Sequence, residues 1–196
     1  MITRQAATAA RREQIARTAI AVLAARGSQA TTFEAICQEA GLSSKRLITY
    51  HFSSKDELFT AVADQVVADS ETYMQAALEG LTDARELLAA VIRANVAFIA
   101  EHAQEVEALR QILLNGGLSD WERYHVESQN RLAGLFEDGQ RAGVFRPFDP
   151  RVMAAALRAS IDSMAPLIAT GLDPASCAEE LVQLFERSTR TGKEGQ

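Results

Sequence analysis

The sequence predicts an all-α protein, with an N-terminal three-helix helix-turn-helix domain and a larger C-terminal helical bundle, about nine helices in total. Alanine and leucine dominate, β-branched runs are short and turn residues come singly. Helix-start signatures recur ahead of apolar-periodic stretches, and no strand candidate stands out. At 196 residues with 47% hydrophobic and 23% charged content, the chain has enough apolar mass for one or two modest cores.

The first helix reads near 8–26 and is closed by Gly27. The Thr31 to Glu34 capping pattern opens the second, near 32–40, and Gly41 ends it. Ser43 offers an N-cap oxygen for a third, near 44–51, and Ser54 with Glu57 opens a fourth, near 55–79, that runs to Gly80. The fifth and sixth lie near 82–101 and 104–115, the latter followed by Gly116 and Gly117. Ser119 and Glu122 open the seventh, near 120–142, which stops at Gly143. Asp149-Pro150 and Asp173-Pro174 put proline at the first position of the eighth, near 150–170, and the ninth, near 174–190, with Gly171 between them.

Composition narrows the function classes. Cys37 and Cys177 form no C-x-x-C pair and are too few to staple a secreted scaffold, so a reducing cytoplasm is expected. The longest apolar stretches, such as Leu87 to Ile92, are interrupted by Arg93 and Asn95 well short of the ~20 residues of a membrane span. The stretch Met1 to Arg12 lacks the apolar block of a signal peptide, so no membrane partner is expected. Net charge is −6, yet the first 55 residues hold eight Lys/Arg against three acids, a balance of +5 that leaves −11 for the remainder. A basic head on an acidic body points a polyanion at the head.

The most informative stretch is Thr31 to Lys55. Phe33, Ile36, Cys37 and Ala40 follow helical spacing and give the second helix one narrow apolar face. Gly41 and Leu42 then turn into a helix of about two turns holding Leu47, Ile48, Tyr50 and His51, which makes a helix-turn-helix. Ser44, Lys45 and Arg46 open that short helix, where the dipole disfavours cations by ~0.3–1 kcal/mol each. DNA phosphates and guanine edges would compensate, because a recognition helix reads bases with its N-terminal turn. Taken alone, Lys45 and Arg46 would be ordinary solvated cations; the surrounding motif favours the DNA reading.

These residues carry a resemblance. The order Thr31-Thr32-Phe33, Ile36, Ala40-Gly41-Leu42-Ser43, Leu47, Tyr50-His51-Phe52 and Lys55-Asp56-Glu57-Leu58 resembles the TetR family of transcriptional regulators. Phe145-Arg146-Pro147 and Asp149-Pro150 are similar to the approach to that family's penultimate helix. The resemblance implies a DNA-binding domain over 1–54, a ligand-binding and dimerisation domain over 55–196, a homodimer on a palindromic operator, and repression relieved by a small-molecule effector. Gly41 to Phe52 spans eleven positions, one more than is usual in the family, which displaces base contacts by up to one residue. Carried onto matching positions, Thr32, Tyr50, His51 and Lys55 would contact phosphates. Lys55 would act beside the free amides of a helix N-terminus. Lys45, Arg46 and Thr49, beside Ser44, face the bases, with Arg46 on guanine and Thr49 on a thymine methyl or a phosphate. Tyr50 and His51 have a second reading, packed between the first and fourth helices with only their polar tips wet. Phe52 is assigned to the core.

The acidic body supplies the expected dimer and effector site. Val152, Ala155, Ala156, Ala159 and Ser163 form a small-residue stripe on the eighth helix, and Ala178, Leu181, Val182 and Phe185 a larger one on the ninth, so two copies could build a four-helix interface. Otherwise these stripes pack within the subunit. On the fifth helix Leu88, Val91, Asn95, Phe98 and His102 follow one face, so Asn95 and His102 are expected to point inward. A ligand could partner them, with Tyr73, Met74, Trp121, Tyr124, His125 and Met164 lining the same cavity. Core packing is the plainer reading for each.

Enzyme readings find little support. His51, His102 and His125 show no H-E-x-x-H spacing, and Glu101, His102 and Glu105 diverge around a helix, so neither a metal nor another cofactor is expected. Two functions remain: a ligand-responsive DNA-binding repressor, and an all-helical interaction module whose basic end meets another acidic partner.

Overall fold

A computed structural model describes residues 4–115 and 121–191, with side chains over 6–115 and 124–191. Its ten helices are α1 (Arg4–Ala30), α2 (Phe33–Glu39), α3 (Lys45–His51), α4 (Lys55–Leu78), α5 (Ala84–Glu101), α6 (Ala103–Leu114), α7 (Trp121–Arg141), α8 (Pro150–Asp162), α9 (Met164–Ala169) and α10 (Pro174–Thr189). The described residues contain no strand, only an isolated antiparallel bridge between Phe145 and Arg190. The expected all-α fold is present.

The count of ten arises because the expected eighth helix is two. Pro166 has no N–H for the carbonyl of Asp162, and its ring opposes that carbonyl, so the chain breaks at Ser163 and restarts at Met164. In α9 proline sits in the first turn, where its missing donor is not needed. Two capping assignments also shift by one residue. Thr31 is buried and gives its hydroxyl to the Gly27 carbonyl at 2.7 Å, so Thr32 caps α2 by accepting from the Ala35 N–H. Ser44, not Ser43, caps α3, its Oγ accepting from Arg46 N–H at 3.1 Å. Asp149 and Asp173 cap α8 and α10 ahead of Pro150 and Pro174, as expected. The Ser119 to Glu122 cap and the Gly116-Gly117 turn lie outside the described residues and side chains.

The chain divides into two compact units. One takes the chain as far as Asp69 together with the segment opened by His102; the other takes Ser70–Glu101 and the segment from α7 onward. In the first, Ile15, Ala19, Val22 and Leu23 line one side of α1 and are fully buried, as are Ile36, Ile48, Phe52, Leu58 and Ile112. Gly27, at φ +74°, ends the regular part of α1. In the second, α5 packs against α10, and α7 against α8, around Leu88, Ile92, Phe136, Leu157 and Ile161.

The loop after α7 is fixed by a close approach. Both the Val144 and Phe145 N–H groups donate to the Gly139 carbonyl, and the buried Phe145 ring lies directly against Gly139. A Cβ on Gly139 would fall 2.1 Å from Phe145 Cδ2. Arg146 then ties the loop to the end of α10, its N–H donating to Thr189 at 2.9 Å and its Nε to Ser188 at 2.7 Å. Gly139→Ala is therefore expected to destabilise by about 1–3 kcal/mol despite alanine's better helix propensity. Thermal unfolding checks this as a Tm lower by roughly 2–4 °C per kcal/mol for a chain of this size; an unchanged Tm refutes the packing constraint.

Candidate nucleic-acid interface and ligand-side cluster

Two buried side chains set the orientation of α3. Ile48 and Phe52, one helical turn apart, are fully buried, which turns Lys45, Arg46, Thr49 and Tyr50 toward solvent. Thr32 and Ser44 are exposed as well, although the oxygens of both already accept a capping N–H. Tyr50 is 72% exposed, so its ring is not packed between helices. His51 is half-buried and meets Tyr50 edge to face, ring centroids 5.0 Å apart. Leu47 leaves 38% of its surface in solvent.

Arg12 anchors the end of α3. One Nη donates to the His51 carbonyl, both Nη atoms lie 3.2 Å from Glu57 Oε1, and the guanidinium stands 4.2 Å over the Phe52 ring. The other Glu57 oxygen accepts from the N–H and the hydroxyl of Ser53 at 2.8 and 2.7 Å, bonds that hold its carboxyl below the usual range with help from Arg12. Sequence reasoning missed Arg12, because nothing in its local spacing announces a contact 39 residues away.

The basic head is partly tied. Lys45 pairs with Glu34, Arg26 with Glu39 at 3.3 Å and Arg17 with Glu13 at 2.8 Å. Such exposed pairs are worth ~0–1 kcal/mol and exchange readily for phosphate. The hydrogen bond from Lys45 is also the main reason the Glu34 carboxyl titrates low. Arg46 is exposed, and among the described residues no carboxylate pairs with it. Lys55, expected beside the helix N-terminus as a phosphate contact, has its Nζ donating to the Ser28 carbonyl and standing 5.0 Å from the Phe59 ring centroid.

In the second unit, several residues singled out as ligand candidates do meet. Asn95 donates to Val91 at 2.8 Å and to Met74 Sδ at 3.3 Å, while its Oδ1 accepts from Arg158 Nη1 at 3.2 Å. Tyr73 stacks edge-on against the buried Phe98 and donates to Glu101 at 3.1 Å. Burial and Glu101 together push the Tyr73 hydroxyl pKa up. Tyr124 and His125 are half-buried on α7, with His125 Nε2 2.9 Å from Gln129, and Met164 is half-buried at the start of α9. The side chain of Trp121 lies outside the described ones. His102 is not on the α5 stripe. It follows the last α5 residue at φ −114° and ψ 40° and falls in the first unit, with Nδ1 3.6 Å from Glu105. Arg158 went unnoticed, although a charged residue on the inward row of Ala154 and Ile161 is the same signal that marked Asn95.

The two dimer stripes separate. Ala178, Leu181, Val182 and Phe185 are buried within the subunit, on the helix that packs on α5. Val152 (68% exposed), Ala156, Ala159 and Ser163 face solvent, with Ala155 half-buried beside them. Pro150–Ala169 has a membrane-crossing length, with an 18-residue window of mean hydropathy 1.3 of which 17% is buried, and the helix is broken at Ser163.

Residues 15–62 match the family model of bacterial regulatory proteins, tetR family. No curated protein matches the chain. Among solved structures, a TetR-like transcriptional regulator from Rhodococcus sp. RHA1 is 24% identical, covering 92% of this chain and 96% of its own, with a TM-score of 0.77. A protein from Saccharomonospora viridis, assigned as a transcriptional regulator and solved with choline, is 23% identical over 94% of this chain and 100% of its own, TM-score 0.83. AibR, solved with isovaleryl coenzyme A and operator DNA, is 19% identical over 89% and 97%, TM-score 0.76. Residues 15–62 are thus similar to the tetR-family model, and the chain as a whole shares the fold of these solved structures.

His51 yields a pH prediction. Burial first, then the nearby Arg12 and Arg11 charges, lower its pKa from the ordinary 6.5. The neutral ring is therefore favoured in the folded chain, and its contribution to stability is present above the unfolded pKa and lost as pH falls through the folded one. An NMR titration should place the His51 midpoint below 6.5 and move it upward in Arg11→Ala; a midpoint that ignores Arg11 contradicts the electrostatic cause.

Proposed function

We propose that the chain is a homodimeric transcriptional regulator that binds a palindromic DNA operator through α3 and is released from it by a small-molecule effector, acting as a repressor. The observation that carries this reading is the outward row of Lys45, Arg46, Thr49 and Tyr50, fixed by the burial of Ile48 and Phe52. Arg46 offers its planar fork to a guanine edge, Thr49 a methyl to thymine, and Lys45 exchanges Glu34 for a phosphate. Ser44, Thr32, Tyr50 and His51 position the backbone of the duplex. Lys55 would join them only by leaving Ser28. The structural likeness to AibR, solved with operator DNA, supports this reading.

The exposed face of α8 supports dimerisation. Val152, Ala156, Ala159 and Ser163 recur at helical spacing along an apolar face that water covers poorly, and Leu184 of α10 leaves 53% of its surface in solvent. A second copy across a two-fold axis would cover this surface and supply the second α3, about 34–36 Å away, that a palindrome requires. The effector is placed in the second unit, among Tyr73, Met74, Asn95 and Phe98, with Tyr124, His125 and Met164 as further wall residues. The structures solved with choline and with isovaleryl coenzyme A support a ligand-responsive bundle. Such a regulator works in the cytoplasm.

Footprinting on DNA flanking the gene should reveal a palindrome, bound with an affinity that falls linearly in log–log form as salt rises. Arg46→Ala is expected to cost ~1–3 kcal/mol at that site and to relax base preference. Equal affinity for heparin and for duplex DNA would favour the interaction-module reading instead. Ala159→Glu is expected to give monomers by light scattering and to weaken operator binding; a dimer that persists refutes the α8 interface.

A further inference from the structure

The second unit holds one polar group that the fold leaves unfinished. Arg158 projects from the inward row of α8, between Ala154 and Ile161, and its side chain keeps only 16% of its exposure. Burying a guanidinium is costly unless every donor is served. Nη1 reaches Asn95 Oδ1 at 3.2 Å and Nη2 reaches Asp162 Oδ1 at 2.7 Å, but Nε is buried with no acceptor, the one side-chain atom of the described residues in that condition. Asp162, itself half exposed, meets the guanidinium through a single oxygen, so the planar fork is not closed. Around it the surroundings turn apolar: Asn95 is backed by Met74, and Phe98 lies one turn further along α5.

We propose that Arg158 anchors the carboxylate of an apolar-tailed acid bound in the second unit, with Nε–H as the donor that ligand completes. The inference rests on the effector reading above and names the effector's class. A cation is excluded at this point because an N–H donor cannot face one; a carboxylate accepts from the open Nε–H and adds charge to a guanidinium that half-exposed Asp162 meets at Nη2, whereas an alcohol brings only a neutral acceptor. Asn95 positions the guanidinium from α5 and orients the site without needing to touch the ligand.

The test uses the full chain and linear carboxylates from acetate to octanoate, beside the matching primary alcohols and choline, read by thermal unfolding and calorimetric titration. At least one carboxylate is expected to raise the wild-type Tm and to bind once per subunit. Arg158→Met removes the orphaned donor together with the partner of Asn95 Oδ1, and should weaken that carboxylate by ~10-fold or more. Should the methionine variant not fold, Arg158→Lys keeps the charge beside Asp162, loses the fork and is expected to show the same loss. Three results overturn the proposal: no carboxylate shifts the wild type, alcohols bind as well as acids, or both variants bind the acid like the parent. A Tm shift with choline alone overturns it too, while leaving the effector reading intact.

Discussion

A helix of seven residues has no stability of its own in water, because nucleation costs more than two turns return. α3 therefore depends on what grips it. Ile48 and Phe52 bury one side, Ser44 closes the N-terminus, and Arg12 takes the last carbonyl while standing over Phe52 and pairing with Glu57. Because Glu57 also binds both polar atoms of Ser53, one guanidinium joins α1, the end of α3 and the start of α4. The outward direction of Arg46, and with it the contacts proposed for α3, follows from that grip.

The charge arrangement follows the same logic. The head holds three of its cations in loose surface pairs with Glu13, Glu34 and Glu39, which cost little to exchange. Arg46, left without a carboxylate, is the residue for which a nucleic acid offers most. Lys55 shows the opposite outcome: a cation turned onto a backbone carbonyl, where it helps close the end of α1 against the start of α4.

The two faces of α8 differ in character. Its outward row of small and apolar residues stands in solvent, while its inward row admits one charged group, Arg158, among Ala154, Leu157 and Ile161. The break at Ser163 limits how far α8 extends before α9 begins.

Local chemistry was enough to place most elements. Capping residues, Asp-Pro pairs and glycines at positive φ (Gly27, Gly41, Gly80, Gly143, Gly171) act within a few residues, so the sequence alone located the helices and the helix-turn-helix. Pro166 carried a readable break that the apolar periodicity masked. Contacts between distant segments were another matter. Whether Tyr50 packed or stood in solvent, whether the α10 stripe faced a partner or α5, and whether Lys55 stayed free all turned on which surfaces folding brought together. Periodicity says that a helix has an apolar face, not what covers it; burial, and with it the roles of Arg12 and Arg158, is a property of the assembled chain.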